Sequence, residues 1–222
     1  MIPSMSTTSH GLPTVSERDR ALSIFGETMG LVAITCLFAA AGAYIGKDLS
    51  GLTVLVPWLF AFGCIFGLNA ANARGNRQLA LVLLFAFGLL LGISVGTTLH
   101  YYAVSDPTAV YQAAGATALF VAALGAGGYA TRRDLSGLYR MAFWLLLALI
   151  VFGILMIFIN IPAGSLIYCV LGLGIFGLYV VLDFNRMRRA GQAEVIPLAA
   201  GIFLDVFNIF LFFLRIFGGS GR

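Results

Sequence analysis

The sequence predicts an all-α integral membrane protein, a bundle of seven transmembrane helices, and three observations lead to this fold class. Of the 222 residues, 60% are hydrophobic and only 10% are charged, whereas soluble domains carry about 25% charged residues. The mean hydropathy is +0.99, and a chain of this length could not bury so much apolar surface away from water. Seven apolar segments are also long enough, at about 20 residues each, to cross a bilayer.

Short polar breaks with turn-forming residues separate the seven segments. The segments run Ser23–Gly46, Leu52–Ala70, Leu79–Leu99, Ala109–Ala130, Leu138–Asn160, Ala163–Asn185 and Ile196–Phe217. The residues before the first segment are polar and lack the order of a cleavable signal, so we expect that segment to remain as a membrane helix. The predicted organisation is a polar tail over residues 1–22, one membrane domain over 23–217 and a short tail over 218–222.

Basic residues alternate between the two ends of the predicted helices. The first connection has only Lys47, and the third and fifth connections have none. The N-terminal tail and the even-numbered connections carry Arg18, Arg20, Arg74, Arg77, Arg132, Arg133, Arg140, Arg186, Arg188 and Arg189. The positive-inside rule therefore predicts a cytoplasmic N-terminus, and seven crossings place the C-terminus outside. Because the basic residues border the membrane and do not form a groove, we expect no nucleic-acid partner.

Small residues indicate how the helices pack. Glycines four residues apart allow close helix approach, and they occur at Gly26/Gly30, Gly63/Gly67 and Gly88/Gly92/Gly96. We expect them to serve a compact monomeric bundle. The cysteines Cys36, Cys64 and Cys169 are scattered, with no disulfide framework or paired metal-ligand spacing, and are expected to be small buried hydrophobic residues.

Asp183 and Asp205 are the main candidate functional residues. Each lies in an apolar segment, and an aspartate at the centre of a membrane helix costs about 2.5–3.5 kcal/mol. Asp183 lies eleven residues before Glu194 and Asp205 eleven residues after it. An antiparallel hairpin that turns near Glu194 would bring both carboxylates to a similar depth, with Asp205 about 12 Å inside its helix at 1.5 Å per residue. We therefore expect the two acids to meet on the cytoplasmic side of the bilayer.

Two carboxylates at close range do not both ionise easily, and they titrate as a unit. A shared proton would hold the two helices together, and its loss would separate them or leave a doubly negative site for a cation. Carboxylate oxygens are natural ligands of Ca²⁺, although two carboxylates alone do not fill its shell of 6–8 oxygens. Expected partners of the acids are Tyr179, Arg186, Asn208, Arg74 and Arg77. The alternative is a hydrogen-bonded cluster that only fixes helix packing.

Two further charged residues lie within the apolar segments. Glu27 is near the cytoplasmic start of the first segment, where snorkelling or the helix dipole suffices to accommodate it. Arg215 is near the outer end of the seventh segment. We expect its side chain to reach lipid head groups or a neighbouring carbonyl.

The last two segments resemble those of the Bax-inhibitor-1 (transmembrane Bax inhibitor motif) family. The specific part is Leu204-Asp205, Asn208 three residues later, an apolar run, and then Leu214-Arg215-Ile-Phe-Gly218. The stretch from Leu178 to Met187, which contains Asp183, is similar to the preceding family helix. Phe85-Ala-Phe with Gly92-Ile-Ser is a weaker match. The seven-segment pattern extends the resemblance over nearly the whole chain beyond the N-terminal tail.

This resemblance implies a bundle with the last helix central, a di-aspartyl pH sensor at Asp183 and Asp205, and a cation leak, chiefly of Ca²⁺. The resemblance also implies a basic residue at the cytoplasmic end of helix two, and Arg74 is the residue in this sequence that matches that position. The second segment departs from the family, with Gly63 and Cys64 where a carboxylate would be expected. We expect a bacterial, multi-pass protein of the inner (plasma) membrane, without a cofactor and without enzymatic activity.

Other function classes fit less well. A retinal protein needs a Schiff-base lysine in helix seven, but the lone lysine is Lys47. Intramembrane aspartyl proteases carry Gly-x-Gly-Asp, whereas Asp183 and Asp205 follow Val-Leu and Phe-Leu. Gly92-Ile-Ser-Val-Gly96 matches a hydrolase string that needs a strand-to-helix elbow, and here it lies in an apolar helix. Two alternatives to a leak channel remain: a non-conducting regulator that binds other membrane proteins, such as a membrane protease, and an ion-coupled transporter.

Overall fold

The protein is a bundle of long helices. The computed structural model describes residues 15–159 and 162–219, and these residues form seven α-helices, short 3-10 turns and no strand. The helices are α1 (Val15–Ile45), α2 (Leu55–Ala73), α3 (Arg77–Ser105), α4 (Pro107–Ala130), α5 (Tyr139–Phe158), α6 (Gly164–Met187) and α7 (Val195–Gly219). All seven are long and apolar enough to cross a membrane. The predicted fold class is confirmed.

The helices overlap all seven predicted segments but several extend further. Helix α1 begins at Val15, and α3 continues to Ser105, since helical hydrogen bonding does not stop where hydropathy falls. The break after α3 is local: the Asp106 carboxylate accepts a hydrogen bond from the Ala109 N–H at 3.1 Å, and Pro107 suits the first turn of α4. Residues 1–14 and 220–222 of the two predicted tails lie outside the described residues.

Helix α7 occupies the centre of the bundle. It packs against α1, α2, α3, α4 and α6, and 56% of its most apolar stretch is buried, compared with 39% or less in the other helices. Its inward side chains include Ile202, Phe203 and Ile209. Helix α5 is peripheral, because it packs mainly against α6 and only 11% of its apolar stretch is buried. The expected central position of the last helix is confirmed.

Helices α1 and α3 pack with their backbones in contact along one line of glycines. A Cβ atom at Gly92 would lie 2.7 Å from the Ala39 carbonyl carbon, and one at Gly88 would lie 2.8 Å from the Thr35 carbonyl oxygen. Gly96 approaches Ala43 in the same way. The prediction of close helix approach is therefore right for this set of three.

The same prediction is wrong for the other two glycine pairs. Gly26, Gly30 and Gly63 have no atom within 4 Å of a Cβ position, and Gly67 would touch only the Leu83 side chain, at 3.2 Å. Gly26, Gly30 and Gly63 are exposed. Their spacing places two glycines on one helix face, but it does not determine whether another helix packs against that face.

The cysteine prediction is right for one residue of three. Cys169 is buried, whereas Cys36 and Cys64 are only half-buried, and all three thiols are free. Cys36 lies on α1 and Cys64 on the largely exposed α2. An apolar segment in a membrane protein can face lipid, so a cysteine in it need not be covered by protein.

The α2–α3, α4–α5 and α6–α7 connections share one end of the bundle, called here the basic end. They contain eight arginines: Arg74, Arg132, Arg133, Arg188 and Arg189 between the helices, with Arg77, Arg140 and Arg186 in the adjoining helix turns. The opposite end has Lys47 in its first connection. That the basic end faces the cytoplasm stays a prediction.

Candidate functional site

Asp183 and Asp205 are both buried inside the bundle, with 8% and 4% of their surfaces exposed. Asp183 lies four residues before the end of α6, and its charge acts on Asp205 in α7. No hydrogen bond joins the two carboxyl groups among the described residues. The acids therefore share one buried region without a direct bond in this conformation.

The Asp183 carboxyl lies against α7 one helical turn before Asp205, and the similar depth of the two carboxyl groups stays a prediction. A Cβ atom at Gly201 would lie 2.6 Å from Asp183 Oδ2, so the Asp183 carboxyl is level with a residue one helical turn, about 6 Å, before Asp205. Side chains lean towards the N-terminus of their own helix. Because α6 and α7 are antiparallel, the two carboxyl groups lean towards each other across this offset.

Tyr139 holds the Asp183 carboxyl in place. The Tyr139 hydroxyl donates a hydrogen bond of 2.6 Å to Asp183 Oδ1, and Tyr139 is the first residue of α5. On its other side, Asp183 Oδ2 faces the backbone of Gly201 in α7. The carboxyl is therefore fixed between the start of α5 and a glycine that leaves room for it.

Asp205 has an unsatisfied oxygen. Its Oδ2 atom is buried and has no hydrogen-bond partner among the described residues. Asn208, an expected partner, instead donates to the Leu204 carbonyl of its own helix at 2.7 Å. A buried polar oxygen without a partner is costly, so a proton, a water molecule or a cation at this position would be stabilising.

The other expected partners lie near the acids without binding them directly. Arg186 forms an ion pair with Glu194, with Nε 2.8 Å from Oε2, although its charge also acts on Asp183. The Tyr179 ring lies 6.4 Å from the Tyr139 ring. Within the described part of the chain, neither Tyr179 nor Arg74 makes a hydrogen bond or ion pair with either aspartate.

Two further sequence predictions are corrected. Arg77 pairs with Glu27 and so joins α3 to α1, whereas Arg77 was expected beside the aspartates and Glu27 was expected to need no partner. Arg215 Nε donates to the Ser165 hydroxyl at 3.0 Å, and neither a head group nor a carbonyl is required. In each case the charged residue within the apolar segment has a polar partner that lies 50 positions away in the sequence.

A polar cavity of about 400 Å³ opens at the basic end beside Asp183, and we call it the polar vestibule. Its lining residues come from the α4–α5 connection, the start of α5, the end of α6 and the α6–α7 connection. They are Asp134, Ser136, Tyr139, Leu182, Arg186, Arg189 and Glu194. Tyr139 is thus both a lining residue of the vestibule and the donor to Asp183.

Two ion pairs line the vestibule. Arg186 pairs with Glu194, and Arg189 Nη2 lies 2.8 Å from Asp134 Oδ1. The hydrogen bond from Arg189, together with one from the Ser136 backbone, holds the pKa of the Asp134 carboxyl well below its usual range. Positive and negative charges are therefore balanced around the cavity.

Asn185 is a site residue to which the sequence assigned no role. It is fully buried, and its amide donates to the carbonyls of Thr131 at 2.8 Å and Arg133 at 3.0 Å. Its Oδ1 accepts from Arg189 at 2.8 Å and from the Leu135 N–H at 3.3 Å. Asn185 thereby ties α6 to the α4–α5 connection, which forms one wall of the vestibule.

Sequence reasoning also missed Tyr139. A tyrosine at the start of an apolar segment is equally typical of the aromatic belt at a membrane interface. Asn185 had a weak signal, since it follows Asp183 by two residues at the end of an apolar segment. Neither pattern identifies the partner, because the contacts join residues 44 to 54 positions apart.

The described residues contain no group of three or more histidine, cysteine, aspartate or glutamate side chains that could hold a metal ion. A Ca²⁺ ion at Asp183 and Asp205 would therefore take its remaining oxygen ligands from backbone carbonyls, hydroxyl groups or water.

Comparison with known proteins identifies the family. A family model described as inhibitor of apoptosis-promoting Bax1 (Bax1-I) matches residues 23–222. The chain belongs to the Bax inhibitor-1 family. The match begins at the residue where the sequence predicts the membrane domain to start, and the family resemblance drawn from the last two helices is confirmed.

Relatives of this Bax inhibitor-1 family member are found in distant bacteria. An uncharacterized membrane protein of Vibrio cholerae is 25% identical over 216 residues, which is 96% of both chains. An uncharacterized protein of Helicobacter pylori strain J99 is 25% identical over 217 residues, or 96% of this chain and 94% of the relative. An uncharacterized membrane protein of Streptococcus pyogenes serotype M1 is 29% identical over 67% of each chain. With its seven apolar helices, the chain is a multi-pass membrane protein.

Proposed function

We propose that this protein is a pH-sensitive cation leak channel, chiefly for Ca²⁺, that is gated by the carboxylate pair of Asp183 and Asp205. The observation that supports it best is the Asp205 Oδ2 atom, which is buried without a partner beside a second buried acid. Acidic residues inside membrane segments usually mark an ion or proton path, because placing a carboxyl group there is energetically costly and such residues are generally functional.

Gating follows from the charge of the pair. With one proton on it, the pair carries a single negative charge, and one carboxyl group can donate a hydrogen bond to the other. Without the proton, two like charges in a medium of low dielectric repel each other. Separation of α6 from α7 would then open the region between them, and the doubly negative site would attract a cation.

The packing supports movement of α6 and α5 against a fixed α7. Asp205 lies on the central α7, which is held by five other helices. Asp183 is bonded to Tyr139 of the peripheral α5. Movement of α6 with α5 would therefore disturb less buried surface than movement of α7.

We propose that the basic end, and the polar vestibule with it, faces the cytoplasm of a bacterial inner (plasma) membrane. The concentration of arginines at that end supports this orientation. The aspartate pair would then respond to cytoplasmic pH. No cofactor and no catalytic step are needed for such a leak.

The test is Ca²⁺ entry into proteoliposomes between pH 5 and pH 8, with wild type compared with Asp183→Asn and Asp205→Asn. We expect flux that depends on pH in the wild type and loses that dependence in both variants. Asp48→Asn is the matched control, because Asp48 is an exposed acid at the opposite end of the bundle. Unchanged flux and pH response in both aspartate variants would refute gating by the pair.

A non-conducting regulator is the second candidate function. The observation that favours it is the exposure of α2 and α5, each of which buries only 11% of its apolar stretch and could pack against another membrane protein, such as a membrane protease. Vesicles with no flux above empty ones at any pH would favour this regulator. Uphill Ca²⁺ uptake driven by a proton gradient would indicate an ion-coupled transporter instead.

A further inference from the structure

Protons need a route to the buried aspartates. With 8% and 4% of their surfaces exposed, Asp183 and Asp205 make little contact with water, and an apolar protein interior does not conduct protons. The route must consist of polar groups or water. Two cavities are large enough to be considered, and they differ in the chemistry of their walls.

The larger cavity, of about 990 Å³, is a groove between α1 and α4 over α7. No charged side chain lines it, and its floor consists of apolar residues such as Phe203, Val206 and Phe207. In a membrane such a groove takes up apolar chains, not water. It therefore offers no proton route.

The polar vestibule has the opposite character. Four of its seven lining residues are charged, and a fifth, Tyr139, hydrogen-bonds Asp183 directly. A cavity of this size with several polar partners can hold ordered water molecules. Polar side chains therefore line the cavity from the basic end to Tyr139, which hydrogen-bonds the first acid.

We propose that the polar vestibule is the path by which protons pass between bulk water and the aspartate pair, with the Tyr139 hydroxyl as its last link. This inference rests on the proposed pH sensitivity of the pair. In the transfer, a hydronium ion that has entered the vestibule from bulk water passes a proton to the Tyr139 oxygen while the Tyr139 hydroxyl proton moves to the Asp183 carboxylate at Oδ1. Only O–H bonds form and break: the hydronium ion becomes water, Tyr139 stays neutral and Asp183 gains one proton.

The groups around the acid are consistent with this role. The ionisable groups that face Asp183 are Tyr139 from α5, Tyr179 and Arg186 from α6, and Asp205 from α7. Tyr139 is the one among them that both lines the vestibule and bonds Asp183. Arg186 lines the vestibule too, but as a cation paired with Glu194 it does not accept a proton.

Asn185 keeps the path open. It bonds the backbone of the α4–α5 connection at Thr131 and Arg133, and that connection contains the lining residues Asp134 and Ser136. The vestibule wall is therefore attached to α6, the helix that bears Asp183. The path is built into the fold and does not depend on a chance arrangement of surface side chains.

The experiment measures protonation without any ion flux. Protein in lipid nanodiscs is subjected to a rapid pH jump, and the infrared carbonyl band of protonated aspartate is followed in time. The band is assigned to the pair by its loss in Asp183→Asn and Asp205→Asn. Ser136→Cys, in a background with Cys36, Cys64 and Cys169 replaced by alanine, is modified with a bulky charged thiol reagent that fills the vestibule.

We expect the modified protein to exchange protons at least about tenfold more slowly than the unmodified protein, equivalent to a barrier higher by about 1.4 kcal/mol. Tyr139→Phe should also slow the exchange, because a phenyl ring neither donates nor accepts the proton. Two controls should leave the rate unchanged: Ser50→Cys with the same reagent, at the opposite end of the bundle, and Tyr179→Phe.

The outcomes separate this inference from the proposed function. Unchanged exchange rates after modification at position 136 would overturn the vestibule path, even if the aspartate variants still flatten the pH dependence of flux. Slowed exchange in a protein that conducts no cation would support the path and refute the leak channel. A carboxyl band that does not titrate between pH 5 and pH 8 would overturn both.

Discussion

The Tyr139 hydroxyl donates a hydrogen bond of 2.6 Å to Asp183 Oδ1, and so joins the first residue of α5 to a buried acid near the end of α6. Helix α5 otherwise packs mainly against α6, and many of its other apolar side chains are exposed. The bond therefore couples a peripheral helix to a buried acid. We therefore expect a change in the charge of Asp183 to act on the position of α5.

Tyr139→Phe should destabilise the protein by about 1–3 kcal/mol, because it leaves the buried Asp183 oxygen without its donor. The measurement is unfolding in mixed detergent micelles at constant pH. Tyr179→Phe is the control, since the Tyr179 hydroxyl makes no hydrogen bond among the described residues. Equal stability of the two variants would contradict the importance of the Tyr139 bond.

Gly201→Ala should displace the Asp183 carboxyl. The new Cβ atom would lie 2.6 Å from Asp183 Oδ2, and overpacking of this kind costs about 1–3 kcal/mol. Gly174→Ala on the exposed face of α6 meets no atom within 4 Å, so it should be neutral or stabilise by up to about 1 kcal/mol. Thermal unfolding of both variants tests the difference. A stable Gly201→Ala protein would show that the carboxyl has free space elsewhere.

Asp134→Asn should leave the pH response between pH 5 and pH 8 unchanged. The hydrogen bond from Arg189 holds the pKa of Asp134 well below its usual range, which for a free aspartate is about 3.9. For a lowered pKa, the stabilising contribution is complete above the unfolded value and is lost only as pH falls through the folded value. Asp134 thus stays ionised over the tested range. A shifted flux midpoint in this variant would contradict that conclusion.

Gly92→Ala should weaken the packing of α1 on α3. Its Cβ atom would lie 2.7 Å from the Ala39 carbonyl carbon, and because a backbone atom cannot rotate away, we expect a loss of about 1–3 kcal/mol or more. Gly26→Ala is the matched control, since it lies on α1 with no atom within 4 Å. The two variants are compared by denaturant unfolding, and a similar midpoint for both would argue against backbone contact at Gly92.

The seven helices could be predicted from sequence because a bilayer requires long apolar segments with internally satisfied backbones. The apolar segments of the sequence are therefore enough to predict the seven helices. The candidate acids could be found for the same reason, since a carboxylate stands out against an apolar background. The contact of the Asp183 carboxyl with Gly201 could not, because it depends on the conformation of the turn between α6 and α7, which contains the 3-10 helix Gln192–Glu194.

Partners were harder to predict than positions. Glu27 meets Arg77 and Asn185 meets Thr131, and each pair is far apart in the chain. Helical spacing predicts which residues share a helix face, but it does not predict which other helix packs against that face. The glycine pattern illustrates this limit, since only one of the three similar sets lies where two helix backbones touch.

At Gly88, Gly92 and Gly96 the backbone of α3 touches that of α1, so we expect the two helices to move together as one rigid plate. We therefore expect the conformational change to lie on the other side of α7. Spin labels placed on α1 and α3 should keep a constant separation as pH changes, while labels on α5 and α7 move apart. The plate thus provides a fixed frame of reference against which the motion of α5 can be measured.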